Sequence, residues 1–389
     1  MKILMLTNES TLMDGINRHI LAISSSLNRR DDMEIAVCSA MPEGDLHAAL
    51  KKAGVKSFAL GFPNGHCPGI IPAYIRVMGE FRPDIVHCHI LPMMTRIISS
   101  ISYRRIPHII TYHGIYEAAD LVRLRTRAEN ILFKIFPINY KACCYVSEGL
   151  YKLLQDKHPA GIPAHIYYNA IPFGTVPAKE HALHKTAGLP PETPIIGTAC
   201  RILDQKNPQA FTRVMCKVLQ AMPDVHAVVM GEGAESIITE CNEIISEAKV
   251  KERFHWLGYL NNAPRLIRDL DCYIMTSRWE GLPTAILESM AMKTPVAMMK
   301  GDGGLRDLAY INEQEGPIAI MTEQDDTDGL AEGIISLLSN PKQAKAMAEN
   351  AYRTGKQHFD IEKTTDRLIE IYRQVYKPTA GKRPTTRLR

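Results

Sequence analysis

Short apolar runs bounded by turn residues alternate with longer amphipathic stretches from one end of this chain to the other. Parallel strands buried on both faces and returned by crossover helices need that alternation, because each strand must read as a continuous apolar run and each return as a one-faced helix. In the first half the pattern predicts strands at 2–6, 34–39, 57–60, 85–88, 108–112, 142–146 and 165–167. In the second half it predicts strands at 195–199, 227–230, 254–257, 272–276, 296–299 and 318–321. At 389 residues the chain exceeds what one core usually serves, so the expected fold is α/β with two Rossmann-like, doubly wound domains. The Pro-, Gly- and Ala-rich segment 169–194 reads as the linker. The expected division is therefore a first domain over 1–172, a second over 173–358, a C-terminal helix over 359–377 returning toward the first, and a basic flexible tail over 378–389.

Composition removes several classes of function. The nine cysteines include no CxxC pair, which points to a reducing compartment rather than a disulfide scaffold. The start MKILMLTNES has too short an apolar run for a secretory leader, and no run is long enough to span a bilayer, so a cytoplasmic protein is expected. Charge is uneven: residues 1–172 hold 19 basic and 14 acidic side chains, 173–376 hold 22 and 28, and the last thirteen hold five and none. Such asymmetry fits either a solvated face or an anionic surface met by the first half or the tail. The stretch 121–136 interleaves Arg123, Arg125, Arg127 and Lys134 with leucines and phenylalanines, which suits anionic lipid or packing on the first sheet with its arginines in water. No nucleic-acid fold signature is present, and no nucleic-acid partner is expected.

In open parallel sheets, ligands bind outside the carboxyl ends of the strands, where helix N-termini offer free N–H groups and partial positive charge. After the first strand, Gly15 stands at a helix start, where a missing Cβ makes a turn or lets backbone amides approach a phosphate. After the strand ending at Ala199, Arg201 and Lys206 form either a surface pair or a fork and a point charge on one anion. Glu280 and Glu288 stand eight apart. A helix starting near Pro283 places Glu288 one to two turns in and Glu280 in the loop before it, so both line one cleft at different depths. Gly303 and Gly304 offer further backbone donors. His87 and His89 share a strand face, as do Thr111 and His113, but a third ligand is missing and no metal is expected. His113, at a strand end, is the functional candidate. Asp269 and Asp271 spell a D-x-D, which here reads as a helix end and a strand start.

Eight segments occur in order along the chain: DGINRHI, PDIVHCH, TYHG, YVSEGL, the R-x4-K pair, MGEG, EGLPTAILE and DGGLRDL. Together they resemble the large family of retaining glycosyltransferases of GT-B fold, often called family 4 or glycosyl transferases group 1. The resemblance implies two domains facing a central cleft, the first binding acceptor and the second donor. It makes His113, Arg201, Lys206 and Glu280 the catalytic residues. Gly15, Arg201 and Lys206 would hold the donor diphosphate, Glu288 the ribose, and Glu280 and His113 the transferred sugar. Leu282, Pro283, Thr284, Gly303, Gly304 and Leu305 would line the phosphate and sugar pocket through their backbone, with the base near Gly231, Leu257 and Tyr259. Three departures stand out: Asp14 where a glycine is common, Pro283 in place of a glycine, and Arg306 with Asp307 in place of Pro and Glu.

That resemblance implies a retaining, metal-independent transferase without a cofactor, moving a hexosyl or N-acetylhexosaminyl group from a nucleoside-diphosphate sugar, a UDP-sugar foremost, to a hydroxyl. The acceptor expected is a lipid-linked cell-envelope glycan, met at the inner face of the membrane. The alternatives are a sugar-nucleotide epimerase of the same fold, which makes product from donor alone, and a nucleotide- or NAD-binding module resting on the GEG turn.

Overall fold

The computed structural model describes residues 1–13, 15–114, 135–260 and 263–376. Asp14, most of the basic stretch 121–136 and the tail from 377 onward lie outside the described residues. The first half builds a 7-stranded sheet from β1 (Lys2–Thr7), β2 (Glu34–Ser39), β3 (Lys56–Ala59), β4 (Ile85–Cys88), β5 (His108–Tyr112), β6 (Tyr140–Tyr145) and β7 (Ala164–Ile166), in the order β3-β2-β1-β4-β5-β6-β7. The second half builds a 6-stranded sheet from β8 (Ile195–Ala199), β9 (His226–Met230), β10 (Phe254–Gly258), β11 (Cys272–Met275), β13 (Val296–Met299) and β15 (Ile320–Thr322), in the order β10-β9-β8-β11-β13-β15. Between them in sequence, β12 (Trp279–Glu280) and β14 (Asp302–Gly303) form a separate 2-stranded sheet. Every strand pair is parallel, for example β1 with β4 and β8 with β11. The order reverses beside β1 and beside β8, which opens a crevice at the carboxyl ends of both sheets.

Most predicted strands hold to within a residue or two. The largest shifts are two residues: the expected strand at 318–321 begins at Ile320, and the one at 142–146 begins at Tyr140. The segment read as a linker carries a short helix, Ala182–Ala187, whose Leu183 is fully buried. Asp269 and Asp271 hold that segment in place. Asp269 accepts from the His181 and Leu183 amides, while Asp271 accepts from the Ile195 amide and the Lys179 ammonium. The D-x-D is thus a structural clasp with its oxygens already engaged.

The final helix, Ile361–Val375, returns to the first half of the chain. Asp360 caps its start by accepting from the Glu362 amide. Its apolar face, with Ile361, Leu368, Ile371 and Tyr372, shares one core with Ile3, Met5, Ile20 and Ile23. Among the described residues no helix is long and apolar enough to cross a membrane.

Candidate active site

The first-half wall of the crevice is built around Asn17. Its carboxamide accepts from Thr7 Oγ1 at 2.8 Å and donates to the carbonyls of Glu9 at 3.2 Å and Thr11 at 2.8 Å. Those bonds fasten the loop after β1 onto the helix Gly15–Leu27. Gly15 is the first residue of that helix, so its amide has no intrahelical partner. A Cβ there would have Thr284 of the opposite wall as its near neighbour, at 3.7 Å. One turn on, Arg18 reaches across to Glu288, Nη1 to Oε1 at 3.4 Å.

Beneath this wall lies a histidine cluster. His87 is bonded through both ring nitrogens, to Tyr372 Oη at 2.6 Å and Thr111 Oγ1 at 2.7 Å. His89 Nδ1 lies 2.9 Å from His113 Nε2, and His19 Nε2 lies 3.1 Å from Tyr167 Oη. Burial pushes His19 down to about 4 and His87 down to about 3. His89 and His113 fall well below the ordinary imidazole value, first through burial and then through their neighbours' charge. All four rings are therefore neutral near pH 7. His113 is 9 % exposed, and its carbonyl faces Gly281 of the opposite wall so closely that a Cβ on Gly281 would sit 1.8 Å from it.

The second-half wall comes from loops after β8, β11 and β13. Lys206, in the turn Asp204–Lys206, bonds Glu280 Oε1 at 2.5 Å, and Gln205 donates to Glu280 Oε2 at 3.4 Å and to the Trp279 carbonyl at 2.8 Å. Arg201 is exposed and has no ion pair among the described residues. Glu288 lies on the helix Thr284–Ala291, which starts one residue later than expected, with Pro283 as the cap rather than the first helical residue. Burial raises the Glu288 carboxyl above its usual range, and the Arg18 guanidinium draws it back.

Gly303 adopts φ +70°, and a Cβ there would lie 2.0 Å from the Glu280 carbonyl, so only glycine fits this pairing of β14 with β12. The Gly304 amide, expected to face a ligand, instead donates to the Gly281 carbonyl at 3.0 Å. The next amide, that of Leu305 in the first helical turn, has no intrahelical partner, whereas its side chain is fully buried. The two walls also touch directly. Ser147 Oγ donates to the Gly281 carbonyl at 2.6 Å, and Asn169 Nδ2 donates to the Leu282 carbonyl at 3.2 Å.

The structure therefore gathers Gly15, His113, Lys206, Glu280, Leu282, Pro283, Thr284, Glu288 and the Gly303–Leu305 turn around one seam. Gly231, Leu257 and Tyr259 form a neighbouring group at the ends of β9 and β10, beside Arg201. A Cβ on Gly231 would lie 1.8 Å from the Cys200 carbonyl, and the Tyr259 amide donates to Glu232 Oε1 at 3.3 Å. Sequence reasoning gave no role to Arg18 or Ser147, and it paired His89 with His87 without finding its contact with His113. Arg18 was within reach, since it stands one helical turn beyond Gly15 on the same motif. Among the described residues no group of three or more His, Cys, Asp and Glu side chains is placed to hold a metal ion.

Two facing doubly wound sheets with this crevice define the GT-B architecture. The Anabaena protein HepE, solved in complex with UDP and glucose, superposes with a TM-score of 0.76 at 19% identity, covering 96% of this chain and all of that one. WaaG, a glycosyltransferase involved in lipopolysaccharide biosynthesis, superposes with 0.68 at 14% identity, covering 95% of this chain and 99% of that one. The family model for Glycosyltransferase Family 4 matches residues 13–173, and that for glycosyl transferases group 1 matches 180–354. The chain belongs to this glycosyltransferase family. Relatives include the lipopolysaccharide core mannosyltransferase LpsB of Rhizobium meliloti strain 1021, 27% identical over 53% of this chain and 57% of that protein. The UDP-Gal:α-D-GlcNAc-diphosphoundecaprenol α-1,3-galactosyltransferase of Escherichia coli is 23% identical over 76% of this chain and 77% of that protein. The chain thus spans little more than half of the first relative's length and about three quarters of the second's.

Proposed function

We propose that this glycosyltransferase moves a hexosyl or N-acetylhexosaminyl group from a nucleoside-diphosphate sugar to a hydroxyl acceptor, with retention at the anomeric carbon. The observation that carries the reading is the meeting of Lys206, Glu280 and the Gly303–Leu305 turn on one wall with the Gly15 helix start on the other. As the glycosidic bond lengthens, negative charge grows on the departing diphosphate. Arg201 and Lys206 neutralise it, and the amides of Gly15 and Leu305 add hydrogen bonds; fixed donors of this kind are worth about 3 to 4 kcal/mol each. Glu288 accepts from the ribose hydroxyls in place of Arg18, and Glu280 accepts from a hydroxyl of the transferred sugar. Lys206 and Gln205 engage the Glu280 carboxylate, so we assign it no nucleophilic role, and the leaving phosphate oxygen takes the acceptor's proton on the same face. Close packing of His113 on Gly281 keeps water from the sugar's far side.

A UDP-sugar is the donor we favour, supported by the UDP and glucose named for the HepE complex. A lipid-linked cell-envelope glycan is the acceptor we favour, supported by the lipopolysaccharide and undecaprenol relatives. No metal is called for in this scheme, because side chains and amides supply all the charge. A thermal-shift screen of UDP, GDP and their sugars tests the donor: a ligand at a hundredfold excess over its Kd stabilises by about 2.7 kcal/mol. A rise with UDP is expected, and no rise with any nucleoside diphosphate would remove the reading. Product from donor alone would replace transfer by epimerisation, and a rate abolished by EDTA would end metal independence.

A further inference from the structure

Asp307, one of the residues that depart from the family pattern, lies outside the crevice yet joins its two walls. Both its carboxylate oxygens accept from the first half of the chain, Oδ2 from the Glu148 amide and Oδ1 from the Gly149 amide, each at 2.7 Å. Those amides begin the helix Glu148–Leu154, and Ser147, its cap, accepts from the Leu150 amide while donating to Gly281. The contact is close enough to exclude a side chain: a Cβ on Gly149 would lie 2.1 Å from the Gly303 carbonyl and 2.8 Å from Asp307 Oδ1. Val146 and Leu150 of the first half meet Leu282, Leu305 and Leu308 of the second in one buried cluster. On the outer side of this junction lies a cavity of about 460 Å³ between Glu148, Lys152, Arg306 and Tyr310. The polar hold on this helix is therefore shared by Asp307, which takes its first two amides, and Ser147.

Asp307 stands in the first turn of the helix Gly304–Glu315, three residues from the Gly304 amide that is bonded to Gly281. We propose that Asp307 is a positioning residue: by clasping the Glu148–Leu154 helix it sets the Gly303–Leu305 turn against Glu280 and Gly281, so the donor's phosphate and sugar pocket is complete only while the two domains are docked. This rests on the donor reading given above. The nucleoside end, at Glu288 and the ends of β9 and β10, has no direct contact with Asp307 and needs no such clasp.

The test is calorimetric binding of UDP, GDP, uridine and guanosine to wild type, Asp307→Ala, Asp307→Glu and Gly149→Ala, with donor KM and kcat measured alongside. Asp307→Ala and Gly149→Ala should weaken diphosphate binding at least about tenfold, the worth of one lost charge-assisted hydrogen bond. Nucleoside affinity should stay unchanged, and Asp307→Glu should recover most of the diphosphate affinity. Should Gly149→Ala fail to fold, Asp307→Ala carries the test with Asp307→Glu as its rescue. Wild-type binding of a diphosphate with no loss in Asp307→Ala, or an equal loss of nucleoside, overturns the inference alone. A wild type that binds none of these ligands overturns the donor reading and this inference with it.

Discussion

Acidification should unfold this protein through its buried imidazoles. His19, His87 and His108 are each bonded to a hydroxyl or a backbone carbonyl rather than a carboxylate. Burial pushes His19 and His108 down to about 4 and His87 down to about 3. In the unfolded chain each titrates near its ordinary value of about 6.5, so between those limits the unfolded state binds more protons. Their contribution is intact above pH 6.5 or so, and falls away as the pH drops toward the folded values. At about pH 5 an unfolded histidine is almost fully protonated and a folded one of this kind almost not at all, which costs about 2 kcal/mol per residue. Three such residues cost about 6 kcal/mol, set against a typical total stability of about 5 to 15 kcal/mol. His89 and His113 shift in the same direction and add to the loss, while the raised Glu288 carboxyl opposes it. Urea unfolding followed by circular dichroism between about pH 7.5 and pH 5 measures this directly, and the slope of stability against pH counts protons taken up. We expect a fall of several kcal/mol, with a slope lower by about one proton in His87→Gln. Stability that is flat over this range would refute the account of the cluster as neutral and buried.

Two further outcomes follow from the site and the clasp. Lys206→Ala should lower kcat at least about a hundredfold in a sugar-transfer assay, since it removes a fixed cation from the proposed diphosphate site; near-normal turnover would strip Lys206 of that role. Asp269→Ala should cost about 2 to 3 kcal/mol in chemical denaturation, because the buried amide of Leu183 loses its acceptor; donor KM should stay unchanged, and a stability equal to wild type would show the clasp to be idle.

Strand positions and the two-sheet plan were legible because each strand carries its signal within a few residues. The crevice was legible for a similar reason, since R-x4-K and the two glutamates eight apart are local spacings. Contacts between the halves were not. Asp307 meets Gly149 across 158 residues, and nothing in the periodicity of either helix announces the other. Asp307 was visible only as a departure from a pattern. The spacing of His87 and His89 did predict a shared face, and their rings lie 4.3 Å apart. What spacing could not supply was His19 from the helix Gly15–Leu27, or Tyr372 from the helix Ile361–Val375. Gly304 shows the converse case: it lies at the turn where the sequence put it, but its amide is bonded to Gly281, a partner that only the fold brings near.

The return of the last helix to the first sheet has a consequence for biosynthesis. Ile361, Leu368 and Tyr372 seal a core whose other members, from Ile3 to Ala170, leave the ribosome far earlier. The N-terminal sheet must therefore wait, with an apolar flank uncovered, until residues 361–375 have been made. A nascent chain released before residue 361 should bind holdase chaperones at that flank, whereas the second sheet, whose strands end at Thr322, waits only for the segments up to Phe359 that follow directly in sequence.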